Sequence, residues 1–174
     1  YVNGPITSGG LGVELDSNLF IYLILIPSIV SILSLLFGGF LADSLIKKGH
    51  NILHVRRSVN SIGFFGSAVF LYMISLQDSM YQVLLLLCLI NLCSGICAGG
   101  FGVNHADLGP KYTGSLVGIS GSLGMLAAIS SPIVAGYVLE ISNSWNSIFY
   151  ICSSVLIFGG IFYLFFSSAT KQFE

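Results

Sequence analysis

Two stretches of this chain bring together side chains that could bind, gate or move protons. Residues Asn104 to Gly114 read Asn-His-Ala-Asp-Leu-Gly-Pro-Lys-Tyr-Thr-Gly, placing an amide, an imidazole, a carboxylate and an ammonium close together. Residues Gly38 to Arg57 read GGFLADSLIKKG and then HNILHVRR, a charged turn carrying Asp43, Lys47, Lys48, Arg56 and Arg57. His105 and Asp107 are the right groups for acid-base chemistry. No nucleophile accompanies them, and neither Asp43 nor Asp107 stands in the Gly-x-Gly-Asp setting of an intramembrane protease, so an intramembrane enzyme is set aside. The four cysteines, Cys88, Cys93, Cys97 and Cys152, have no His or carboxylate at metal-ligand spacing and read as small apolar packing groups. No catalytic residue, no metal site and no cofactor is therefore expected.

The elements that must hold these two stretches are dictated by composition. Charged residues make up 7% of the 174 positions and hydrophobic ones 55%, and the mean hydropathy is +0.93. A water-soluble surface, which draws on roughly 25% charged residues, cannot be built from that. The charges also stand apart, leaving uncharged runs at 17–42, 58–77, 79–106, 112–139 and 141–170. About 20 apolar residues at a 1.5 Å rise cross a hydrocarbon core of about 30 Å, so each run predicts a membrane-spanning helix. The spans are placed at about 19–42, 58–77, 81–104, 114–138 and 147–168, after a loop at 1–18 and before a tail at 169–174. The runs lack the strict alternation of a barrel strand, and open sheets are excluded in lipid. The expected class is an all-α integral membrane protein whose first partner is the lipid bilayer. A net charge of -1 argues against nucleic acid as a partner.

Alternating spans put every Lys and Arg on one side: Lys47, Lys48, Arg56 and Arg57 after the first span, Lys111 after the third, Lys171 after the fifth. The opposite side holds Glu14, Asp16, Asp78 and Glu140. The positive-inside tendency then places residues 1–18 outside and the C-terminus in the cytosol. The first span carries Pro27 beside Ser28 and Ser31, which reads either as a simple kink or as a kink lining a solute cavity. The second span shows little polarity beyond Asn60 and reads as peripheral and lipid-facing. In the third, Asn91, Gly95, Ala98 and Gly102 form one narrow stripe, where Asn91 serves either an interhelical hydrogen bond or a solute. The fourth span continues the glycines through Gly114, Gly118, Gly121 and Gly124, and the fifth is aromatic and aliphatic. The start, without an initiator Met or a basic n-region, reads as neither a signal peptide nor a natural beginning, and an upstream part is expected.

The Gly38–Arg57 stretch resembles the cytosolic loop motif of the major facilitator superfamily: a glycine (here Gly39), Ala-Asp ending at Asp43, the basic pair Lys47 and Lys48, and Gly49. In that family the Asp latches the cytosolic face by pairing with a basic residue, which implies Asp43 with Arg56 or Arg57 here. The alternative is a solvated loop, since exposed pairs are worth little. The later stretch VNHADLGPKYTGSLVGIS, Val103 to Ser120, is similar to a signature of the anion:cation symporter family within that superfamily. The chain keeps Asn104, His105, Asp107, Pro110, Tyr112 and Gly114. It departs at Lys111, where members carry Arg, at Thr113 for Ala, and at Gly121 for Asn. Lys111 lacks the planar fork that pairs bidentately with a carboxylate. The resemblance runs from about residue 19 to the end.

It implies that the five spans are helices eight to twelve of a twelve-helix transporter, the C-terminal part of a fold that works by alternating access. The first, third and fourth spans would line the cavity and the second and fifth would face lipid. The implied partners are a small anionic solute, a coupling proton or sodium ion, and the N-terminal transporter half. No charged residue lies mid-span, so the chain offers the cavity only Tyr22, Ser28, Ser31, Asn91, Ser94 and Ser122, and a countercharge must come from elsewhere. Gating is expected of the two loops, with Asp43, Arg56 and Arg57 at one and His105, Asp107 and Lys111 at the other. The rival reading is a non-transporting membrane remnant or scaffold, too short to transport alone.

Overall fold

The computed structural model describes residues 1–14, 16–108 and 110–168, leaving aside the side chains of Ser17, residues 106–108 and Pro110. Among the described residues all regular structure is helical. The long elements are α1 (Ser17–Lys47), α2 (Ile52–Ile74), α3 (Met80–Cys97), α5 (Thr113–Ser142) and α6 (Trp145–Phe166). A π turn, Ala98–Gly102, carries α3 into the short α4, Val103–Leu108, and a 3₁₀ turn, Pro110–Tyr112, leads into α5.

Among the described residues four stretches are long and apolar enough to cross a bilayer: Asn18–Lys47, Met80–His105, Thr113–Ser142 and Trp145–Phe166. α2, with 23 residues, has the length but not the same apolar content, because His54, Arg56, Arg57 and Asn60 occupy its first turns. Each expected span overlaps a helix, but the bounds differ: 58–77 and 147–168 overrun the ends of α2 and α6 by two or three residues, and the helices begin before or end after the spans elsewhere. Most of the Gly38–Arg57 stretch expected as a loop is helical, and only residues 48–51 separate α1 from α2. A charge marks where the apolar solvent ends and does not stop a helix. The stop is local: Gly49 adopts φ +89, which a glycine takes at no steric cost. The restart is Asn51, whose side chain caps α2 by accepting from Leu53 N at 2.9 Å.

α3 packs against both α1 and α2, and α2 packs in turn against α6. The α1–α3 seam is a close backbone approach at small residues: a Cβ on Gly38 would meet Ile96 Cα at 2.6 Å, and one on Gly99 would meet Gly38 O at 2.5 Å. Ser34 closes the same seam by donating to Leu92 O at 2.9 Å. In lipid such close packing and hydrogen bonding replace the hydrophobic drive between helices.

The second span, expected to be peripheral, has one face packed on its neighbours while Ile62, Val69 and Tyr72 remain exposed. α2 buries Val55, Arg56, Val59, Asn60, Gly63, Ser67, Ala68 and Ile74 against its neighbours, and Ser153 of α6 donates to Ala68 O across 2.6 Å. Its small and polar residues form a packing face, not a blank one. α5 is the opposite case, with no buried residue along its length.

The two ends of the bundle are tied separately. At one end Arg57 Nε and Nη2 donate to Ser167 Oγ and Ser167 O, both at 2.9 Å, joining the start of α2 to the end of α6. At the other, the loop before α1 folds on itself through Leu11 N to Tyr1 O at 3.2 Å and Val13 N to Val2 O at 3.0 Å. Tyr1 then docks on the α2–α3 turn, donating to Gln77 O at 3.1 Å, and sets its ring edge-on to Phe149 at 4.9 Å and Trp145 at 6.2 Å.

Candidate functional site: the glycine-rich π turn and the helix joint

Cys97 ends α3, and the π turn that follows leads into α4. The local sequence Ala98-Gly-Gly-Phe-Gly102 has little helix propensity of its own, and here it adopts a single π turn. Glycine is required at two of these positions by closeness. A Cβ on Gly99 would strike the α1 backbone, and one on Gly100 would lie 3.0 Å from Arg56 O, Asn60 Cβ and Asn60 N of α2. The turn thus sits where three backbones converge.

Arg56 is 4% exposed and donates from Nη1 to Gly99 O at 2.7 Å. Asn60, fully buried, accepts from Cys97 Sγ at 3.0 Å through Oδ1, while its Nδ2 has no partner among the described residues. Just beyond the turn, Asn104 is buried, its Oδ1 likewise without a partner among the described residues. His105 is partly exposed with Nδ1 3.5 Å from Gly102 O. The side chains of Asp107 and Pro110 lie outside the described residues. Lys111 is exposed, with Nζ 5.9 Å from the centre of the Tyr112 ring. A Cβ on Gly114 would meet nothing within 4 Å.

The other charged stretch is spread over the end of α1 and the start of α2. Asp43 is exposed and makes no ion pair among the described residues, since Arg56 turns to the π turn and Arg57 to Ser167. The physical reason is that both arginines belong to a helix packed on α3 and α6, and their side chains follow that packing. Lys47 and Lys48 are exposed at the end of α1, and Gly39 has open space around its Cα.

The residues expected to line a cavity are spread over three helices, α1, α3 and α5. Tyr22 and Ser28 are exposed on α1, and Ser28 Oγ donates to Ile24 O of its own helix. Ser31 is partly exposed on the same helix. Asn91 likewise turns back, donating from Nδ2 to Leu87 O of its own helix at 2.9 Å. Ser94 lines a cavity of about 180 Å³ with Gly63, Ser67 and Leu156, on the side of α2 and α6. Ser122 is exposed on α5 and donates to Gly118 O at 2.8 Å. The residues missed by sequence reasoning are Asn60 as a buried polar centre and Arg56 as its neighbour. The signal available was their spacing of four on one helix face.

Residues 2–172 match the family model for the Major Facilitator Superfamily. Among curated relatives, a probable anion transporter 4, chloroplastic, of Oryza sativa subsp. japonica is 34% identical over 137 residues, 79% of this chain and 23% of that protein. The ascorbate transporter, chloroplastic, of Arabidopsis thaliana is 31% identical over 134 residues, 77% of this chain and 25% of that protein. Sialin of Homo sapiens is 30% identical over 151 residues, 84% of this chain and 30% of that protein. The chain therefore spans between about a quarter and a third of the length of these relatives. With its membrane-length helices, its match along nearly the whole sequence and its anion-transporter relatives, this chain belongs to the Major Facilitator Superfamily.

Proposed function

We propose that this chain is the C-terminal part of a secondary active anion transporter, its five long helices corresponding to helices eight to twelve of a twelve-helix protein. The carried solute is a small anion such as inorganic phosphate or an organic anion, moved by alternating access and coupled to a proton or sodium gradient. The observation that carries this reading is the match of residues 2–172 to the superfamily together with relatives that bear anion-transporter names.

The arrangement of charge supports the same reading. Every Lys and Arg of the described helices lies near one end of a helix, and the middles of α1, α3, α5 and α6 hold none. An anion at mid-depth needs a counter-charge, because an unpaired ion in hydrocarbon is costly. The remaining length of the protein supplies that charge, and this chain supplies the neutral wall. The exposed α5, where a Cβ on the glycines at 114, 118, 121, 124 and 136 would meet nothing within 4 Å among the described residues, leaves a face open to the rest of the protein.

The joint at Asn104–Gly114 acts in gating and lies on the cytosolic side with Lys47, Lys48 and the C-terminus. In the full-length protein, single cysteines at Lys48 and Asp78 should label from opposite sides of the membrane, and same-side labelling removes the topology. Asp107→Asn should change uptake or the inward-outward balance, and unchanged values of both remove the gating role.

A further inference from the structure

We propose that Arg56 is a positioning residue: its buried guanidinium, bonded to the Gly99 carbonyl, holds residues 98–102 in the π form and so sets which way Asn104 and His105 face at the joint. This role differs from that of a loop latch and does not depend on the transport reading.

A π turn accommodates one residue more than an α turn and disturbs the regular pairing of carbonyls with the N–H four residues on. It is retained only where the surroundings compensate. Here the compensation comes from α2. Arg56 Nη1 reaches Gly99 O at 2.7 Å, a bond to a charged donor and so among the stronger kinds. One turn further along α2, Asn60 Oδ1 accepts a hydrogen bond from Cys97 Sγ just before the π turn. Gly100 packs directly on the Arg56 and Asn60 backbone, with no room for a side chain. A guanidinium that is 4% exposed requires acceptors where it lies, and losing them would leave a buried charge uncompensated.

The consequence for the joint is geometric. Successive α-helical residues are about 100° apart. If the π turn relaxes to α, the chain beyond it rotates by about one residue position, and Val103 takes the direction Asn104 now has. In the present form Val103 is 41% exposed and Asn104 is 8% exposed. The π turn therefore decides which of two adjacent residues is covered.

The test uses the full-length protein in membranes, with Cys88, Cys93, Cys97 and Cys152 replaced by Ser and a single cysteine placed at Val103 or Asn104. A membrane-impermeant maleimide should label position 103 at least several-fold faster than 104. Arg56→Met should move protection from 104 to 103, while Arg56→Lys, keeping one charged donor, should hold the original pattern. Arg57→Met, whose bonds go to Ser167, should leave the pattern alone. Should Arg56→Met not fold alone, the same substitution combined with deletion of Gly102 decides the matter, because an α turn there no longer needs the Arg56 bond and a Cβ on Gly102 would meet nothing within 4 Å among the described residues. Removing one residue converts the π turn to α without rotating α4, so 104 should remain protected. Protection that passes to 103 on deletion, or a pattern indifferent to Arg56→Met, overturns the proposal.

Discussion

Replacing the buried Gly99 with Ala should loosen the α1–α3 seam. A Cβ there would lie 2.5 Å from Gly38 O, 2.8 Å from Gly38 C and 3.2 Å from Gly39 N. All three are backbone atoms, so no side chain can swing aside, and ordinary contact distances require the two helices to separate by about 1 Å. Separation would stretch the 2.9 Å bond from Ser34 to Leu92 O, which crosses the seam. Overpacking of this kind costs about 1–3 kcal/mol. Gly39→Ala is the matched control: the next residue on α1, where a Cβ meets nothing within 4 Å. Thermal unfolding of the full-length protein in detergent, followed by a thiol-reactive dye, should show Gly99→Ala melting clearly below wild type and Gly39→Ala close to it. Equal melting of the two variants would refute the backbone-contact reasoning.

Other consequences can be checked on the same preparation. Ser153→Ala removes a buried 2.6 Å bond from α6 to Ala68 O and should destabilise by about 1 kcal/mol. Ser154→Ala, whose hydroxyl is exposed and bonds its own helix at Tyr150 O, should change little in the same unfolding assay. The Tyr1 phenol is pushed above the ordinary tyrosine value by burial and, secondarily, by the Asp78 charge. Its neutral form is thus favoured in the folded state, and its contribution is complete below the unfolded value of about 10 and lost as pH rises through the raised one. Ultraviolet difference titration of wild type against Tyr1→Phe should show that residue ionising late, and ionisation at the ordinary value would contradict the docking of the loop on Gln77 O.

Much of this was legible in the residues. Charge spacing located each of the five long helices, because inserting a charge into hydrocarbon is costly enough to keep charges at the ends of spans. The Asn104–Gly114 signature pointed to the superfamily to which the chain belongs. What escaped has one common cause. Charges read as loop markers, which puts Arg56 and Arg57 in a turn, whereas the Asn51 cap starts a helix before them and carries them into packing. For the same reason α2 reads as peripheral. Its polar residues are few, but Arg56, Asn60 and Ser67 all point into neighbours. The π turn left only its glycines as a trace, and a glycine stripe does not tell π from α. The side chain of Asp107 lies outside the described residues, and its place in the joint rests on the signature alone.

The central claim, that this chain is part of an anion transporter, is tested most directly by reconstituting the full-length protein into liposomes and following uptake of radiolabelled phosphate and a panel of organic anions under imposed sodium or proton gradients. Gradient-driven accumulation of at least one anion above protein-free liposomes is predicted, collapsing when the gradient is dissipated. Correctly inserted protein that accumulates none of them under either gradient would contradict it.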